Sequence, residues 1–276
     1  MLLFINYWIV YKYDASILLI TWSDTCNHKR KWSAMNRTQK FGIGVGVVLV
    51  SLVLILGYFG FVPVLSDLMG ANKGRDLGIK FTAADYDSAR SKLGFTLGTN
   101  PADAPPVDSI TIEGFKPVTA TLTSAELTAL VNKLAEKWRY CPLENAQVRI
   151  NSDGSLEIQG TLLLGRFNGF AQAINMPDSI LGKFSPILAV IQTNPSFYMK
   201  CSLSITNGVA QSLINEIQIG KVDIPAADLP AIQSSFNSFL ERVAQEPTGL
   251  IRNVSFGDGV INIEGNLPTE ISLSPP

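Results

Sequence analysis

Apolar and polar residues alternate in short runs through the second half of the chain, and stretches with helical apolar spacing separate those runs. Ser109–Gly114 alternates strictly and predicts a half-buried strand. Thr123-Ser124-Ala125-Glu126 then has the form of a capping box, in which the hydroxyl and the carboxylate satisfy amides at the start of a helix. The helix that follows places Leu127, Leu130, Val131, Leu134 and Trp138 on one face. Val148–Leu162 reads as a hairpin turning at Asn151–Gly154. A helix over Asp178–Gln192, with Pro186 inside it as a kink, carries a broad apolar face. Phe197, Met199, Cys201, Leu203 and Ile205 alternate up to a Thr206-Asn207-Gly208 turn. Asn215–Gly220 is a further strand, and Pro225–Asp228 leads into a helix with Leu229, Ile232, Phe236, Phe239, Leu240 and Val243 on one face. Val254–Pro268 closes the pattern as a second hairpin. The order strand, helix, hairpin thus occurs twice, and Val148–Gly160 resembles Val254–Gly265 closely enough to suggest an internal duplication. The expected class is α+β: mainly antiparallel strands packed on two to three amphipathic helices.

One stretch fits neither period. Residues 41–66 hold no charge from Phe41 to Ser66, and about 20 apolar helical residues cross a bilayer core. Lys29, Arg30, Lys31, Arg37 and Lys40 precede the run without an acid among them. Positive charge stays cytoplasmic, so the N-terminus is expected inside and the rest of the chain outside. Charge is split the same way: six Lys/Arg against two Asp in residues 1–66, net +4, and sixteen against twenty-one acids in residues 67–276, net −5. The run exceeds a secretory h-region, and Met69 spoils the nearest cleavage pattern, so a retained transmembrane signal anchor is expected over a cleaved signal. Residues 1–40 are then a basic cytoplasmic tail. Met35 begins a normal short basic leader to the run, so residues 1–34 are open to a second reading as an over-extended start. Residues 67–106 read as a stalk with one short helix, Asp85–Leu93, stopped by Gly94, and the Pro- and Gly-rich stretch 98–106 marks a boundary. The extracytoplasmic domain is expected over residues 107–276.

The residue inventory offers little for catalysis. The only histidine is His28, so the outer part lacks the commonest general base and metal ligand. No Cys spacing suits zinc, and no Gly-rich phosphate loop follows a strand. Asp153 and Asp258 precede Gly between strands, which is turn chemistry before it is calcium ligation. No catalytic residue, metal or cofactor is therefore expected. Basic residues are dispersed over a net acidic domain, which argues against nucleic acid as a partner. Trp138-Arg139-Tyr140 reads as a core anchor with an arginine reaching to solvent before it reads as a contact for lipid or a partner. Cys141 and Cys201 form an even pair outside the membrane, which favours a disulfide; two buried thiols are the alternative. A bond between them would close a loop of about 60 residues, worth about 3–4 kcal/mol by chain entropy.

What remains is an excess of apolar surface on the helices and inward strand positions. An ordinary large core accounts for it; so does a groove for an acyl chain. Leu122–Gly160 and Glu216–Gly265, together with Ile219–Pro225, resemble small single-pass exported bacterial proteins related to the tubular lipid-binding (TULIP-like) superfamily. That resemblance implies a long bent antiparallel sheet wrapped on a helix, with an apolar groove that holds lipid. It brings no catalytic set with it. The expected ligand-binding residues are Leu127, Leu130 and Leu134 on the first helix, Phe236 and Phe239 on the last, and Phe197 and Leu203 on the middle strand. Two non-enzymatic functions fit these features: binding or handling lipid beside the membrane, or a structural module that docks another cell-envelope protein, which exposed apolar patches would favour.

Overall fold

The protein is described from a computed structural model for residues 47–55, 58, 70, 73–178, 181–182, 194–245 and 251–276; the side chains of 235, 239 and 242–245 also fall outside the description. Over these residues it is α+β, with a mostly antiparallel sheet and a few helices. The elements are α1 (Ala83–Leu93), β1 (Thr96–Thr99), β2 (Ile110–Thr123), α2 (Ser124–Lys137), β3 (Leu143–Ile150), β4 (Ser155–Leu162), α3 (Leu164–Ala173), β5 (Ser196–Thr206), β6 (Val209–Ile219), β7 (Val222–Asp223), α4 (Leu229–Gln245), β8 (Ile251–Gly257) and β9 (Val260–Leu273). Residues 47–55 are also helical, with Val47, Val48, Leu49 and Val50 exposed. Among the described residues no helix is long and apolar enough to cross a membrane, and the rest of 41–66 lies outside them. Most of the helix expected over Asp178–Gln192 also lies outside them.

Local chemistry sets the ends of these elements where the sequence predicts. The Thr123 hydroxyl accepts from the Glu126 amide at 3.3 Å, and the Glu126 carboxylate accepts from the Thr123 amide at 2.8 Å. The two hairpin turns Asn207-Gly208 and Asp258-Gly259 put both residues at positive φ, the geometry that two-residue hairpins require. Asp153 serves its turn, its carboxylate accepting from the Ser155 amide at 2.9 Å. In register, Val148 pairs with Ile158 in one hairpin and Val254 with Ile263 in the other, the same correspondence that aligns their sequences.

Sheet order follows from β5, the central strand. Its one edge carries β6, and its other edge carries β4 over Ser196–Ser202 and β8 over Ile205–Thr206, so the two hairpins lie end to end. Gly154 sits at their junction with φ +80°, and a Cβ there would lie 2.8 Å from the Phe256 carbonyl oxygen. β8 pairs with β9, and β9 with β2 on its far side. The inward face of this sheet packs against α2 and α4 in one core, which includes Leu122, Val148, Leu156, Cys201, Ile219 and Ile261. A smaller core gathers Ala135, Trp138, Cys141 and Leu273. Trp138 is buried there with its indole N–H donating to Ser109 Oγ at 3.0 Å, while Arg139 reaches out to the Ala102 carbonyl.

Both helices also close strand edges. Ser124, Thr128 and Asn132 recur every four residues along α2 and accept the outward amides of Ile150, Val148 and Ala146, at 3.0, 2.9 and 3.0 Å. These are alternate residues of β3, so one polar stripe on the helix replaces the missing neighbour strand. On α4, Gln233 accepts the Ile214 amide at 3.2 Å and Asn237 accepts the Ser212 hydroxyl at 2.6 Å, which covers β6 in the same way. Edges covered like this cannot template pairing with another chain. Thr128 is fully buried and its hydroxyl also donates to the Val148 carbonyl. Thr128→Val keeps the volume but orphans that amide, so it should cost about 1–3 kcal/mol in chemical denaturation and remove exchange protection at Val148. An unchanged midpoint would refute this account of the edge.

Two differences from the sequence reading concern residues 73–106 and the cysteines. The stretch read as a stalk contributes α1, which packs on α2 and β2, and β1, which pairs in parallel with β9. Glu126 fastens α1, accepting from Ser88 at 2.5 Å and from Lys92 at 2.7 Å. Ahead of α1, residues 73–78 cross the outer face of the sheet, where Leu77 is buried and its amide donates to Gln147 Oε1 at 2.7 Å. The Pro- and Gly-rich composition of 98–106 concealed this because β1 is short and gains its partner from the far end of the chain. The expected Cys141–Cys201 disulfide is absent: both are buried thiols, Cys141 in the smaller core and Cys201 in the larger. Burial pushes both thiols up, Cys201 to about 11, so neither is a ready nucleophile at neutral pH.

Candidate ligand cavity

A cavity of about 230 Å³ lies where β5, β6, α4 and the end of α3 meet. Phe197 and Met199 reach it from β5 as alternate residues of one face. Ile214 and Ile217 reach it from β6, although residues three apart should point to opposite faces of a strand. The register explains this: Lys200 pairs with Glu216 and Cys201 with Ile214, so Asn215 is an extra residue and the bulge turns both isoleucines inward. Ile232 and Phe236 are four apart on α4 and share its inner face. Phe170 and Ile174, also four apart, enter from the end of α3, with Met176 and Pro177 just beyond.

Burial grades these residues. Ile214, Ile217 and Ile232 are buried and form the floor, whereas Phe170, Met176, Phe197, Met199 and Phe236 are half-buried and form the rim. Among the described residues no polar or charged side chain lines the cavity. Such a space stays dry and is open to an apolar guest, because water would find no partner there. Among the same residues no group of His, Cys, Asp and Glu is placed to hold a metal.

Polar chemistry lies on the reverse of the same strands. Tyr198, between Phe197 and Met199, donates its hydroxyl to Glu157 at 2.8 Å. Glu157 also accepts from Arg149 at 2.7 Å and from Asn151 at 2.8 Å. Burial alone would raise the Glu157 carboxyl, but these three donors outweigh it and hold it at about 2. Burial, then the Glu157 charge, pushes the Tyr198 phenol up to about 12. Arg75, from the segment crossing this face, stacks 3.7 Å over the Tyr198 ring and pairs with Glu216.

No family model, curated protein or solved structure matches this chain. The site therefore stands on its geometry. Of the seven residues expected to bind ligand, the structure brings Phe197 and Phe236 together at the cavity. Leu127 and Leu130 instead pack in the larger core and Leu134 against the smaller one, because α2 serves β2 and β3 and does not reach β6. Leu203 is half-exposed beyond the cavity, opposite Ser212. The Phe239 side chain lies outside the described residues. The sequence reading missed the floor pair Ile214 and Ile217, since a bulge leaves no mark in alternation, and it missed α3 entirely.

Proposed function

We propose that the protein is a membrane-anchored, extracytoplasmic protein that binds or handles lipid or another apolar ligand and is not an enzyme. The observation that carries this reading is the cavity itself: aliphatic and aromatic walls from four elements, without a polar side chain among the described residues that line it. The uncharged run 41–66 and the charge step across it support an anchor with the N-terminus cytoplasmic. The matched hairpin registers support an internal duplication, with β5 added between its halves. The resemblance to tubular lipid-binding proteins points the same way. A structural role in docking another envelope protein is favoured by Val209 and Leu213, exposed on β6.

A photoreactive fatty acid separates the two in the full-length chain in membranes. Labels on the tryptic peptides 167–183, 184–200, 201–221 and 222–242, which carry the cavity residues, are expected for the ligand-binding reading. Labels confined to residues 41–66 would report bilayer contact alone and move the function to protein docking.

A further inference from the structure

We infer that the ligand is a single unbranched hydrocarbon tail, held by its terminal carbons alone and without recognition of its head group. This rests on the apolar-ligand reading above and narrows it. Size is the first argument. A dry cavity of about 150 Å³ takes a benzene ring of six carbons, so the 230 Å³ here takes on the order of nine at the same packing. Pockets that engulf a whole ligand run to about 300–1,000 Å³. Two chains side by side do not fit, and neither does a fused-ring sterol.

Chemistry is the second argument. A carboxylate or phosphate brought inside would meet no donor among the described residues that line it, and burying an unpaired ion is heavily penalised. Lys200, Glu216 and Arg75 sit on β5, β6 and the segment that crosses them, but they serve the reverse face. Orientation follows from burial. The floor of Ile214, Ile217 and Ile232 is closed, and the half-buried rim of Phe197, Met199 and Phe236 is where the chain must leave. The methyl end therefore enters first and the head group stays in solvent or in the bilayer surface.

Positional photolabelling tests this on the full-length chain in membranes. Probes are sixteen-carbon chains with a diazirine either near the methyl end or beside the head group, each made as a carboxylate, an alcohol and a lysophosphocholine. The methyl-end diazirine should label peptide 201–221, which carries the floor pair Ile214 and Ile217, and the head-proximal one should not. Exchanging the head group should change floor labelling less than about threefold. Floor labelling by the head-proximal probes, or a dependence on head group greater than about tenfold, would overturn the inference while leaving a ligand site in place. Absence of label from every cavity peptide with all probes would overturn the ligand reading itself.

Discussion

Phe236→Asp should lower fatty-acid labelling of the cavity at least tenfold, while Leu203→Asp should leave it within about threefold. Phe236 forms part of the rim from α4, four residues from Ile232 on the floor. An aspartate there removes an aromatic wall and sets a carboxylate against a space whose described lining offers no donor. The charge draws water in, and a hydrocarbon tail must then displace that water and desolvate the charge. A change of about 1.4 kcal/mol is tenfold in affinity, and the loss of one large apolar contact alone is worth about 1.5–3 kcal/mol. The fold should survive, since Phe236 is half-buried and the new carboxylate reaches solvent. Leu203 is the sharper control. Strand alternation puts it in series with Phe197 and Met199, and by pattern alone it is as good a pocket residue as Phe236. The structure separates them: Leu203 lies further along β5, opposite Ser212 near the hairpin end, and does not line the cavity. Equal loss in both variants, each with an unchanged thermal midpoint, would return the binding face to the length of β5.

The contrast between those two residues shows what was legible in the chain. Periodicity gave β5, parts of β2 and β6, the two hairpins and the helices α2 and α4, because each buries one face and its residues must alternate accordingly. Caps and turns were legible because their chemistry is local, as at Thr123–Glu126 and Asn207-Gly208. The cavity was half-legible. Phe197 and Phe236 are large apolar residues on the right faces, but which faces meet depends on strand order, and order is set by pairings between residues far apart. β5 pairs with β4, β6 and β8, and no spacing within β5 announces that. A signal for the helix–edge contacts was present and unused: Ser124, Thr128 and Asn132 repeat every four residues beside an apolar face. A polar stripe at that spacing, next to one that packs, is the mark of a helix that must hydrogen-bond a backbone edge as well as cover a core.

The second large effect concerns acid stability and runs through Glu157. Its side chain is 9% exposed, and its carboxyl titrates at about 2 in the folded protein against an ordinary value of 4.5. Above 4.5 the group is ionised in both states, and its contacts with Arg149, Asn151 and Tyr198 contribute their full stability. As pH falls from 4.5 toward 2, the unfolded chain takes up a proton that the folded one does not, so the contribution drains away through that window and is gone below it. The interval corresponds to no more than about 3 kcal/mol, and to less in practice, because Arg149 is 39% exposed and solvent screens the pair. Glu157→Gln keeps an acceptor for the Tyr198 hydroxyl but leaves the guanidinium without its counter-charge. Denaturation midpoints of the full-length chain should therefore be lower in the variant at pH 7, and the two proteins should converge as pH falls to about 2. Glu126 and Asp153, whose carboxyls are also held below their ordinary values, contribute acid sensitivity to both chains, so only the difference between the curves belongs to Glu157. Parallel curves across the whole range would mean that the carboxylate is no better placed in the folded protein than in water, and the outer-face network would then be a consequence of the sheet and not one of its supports.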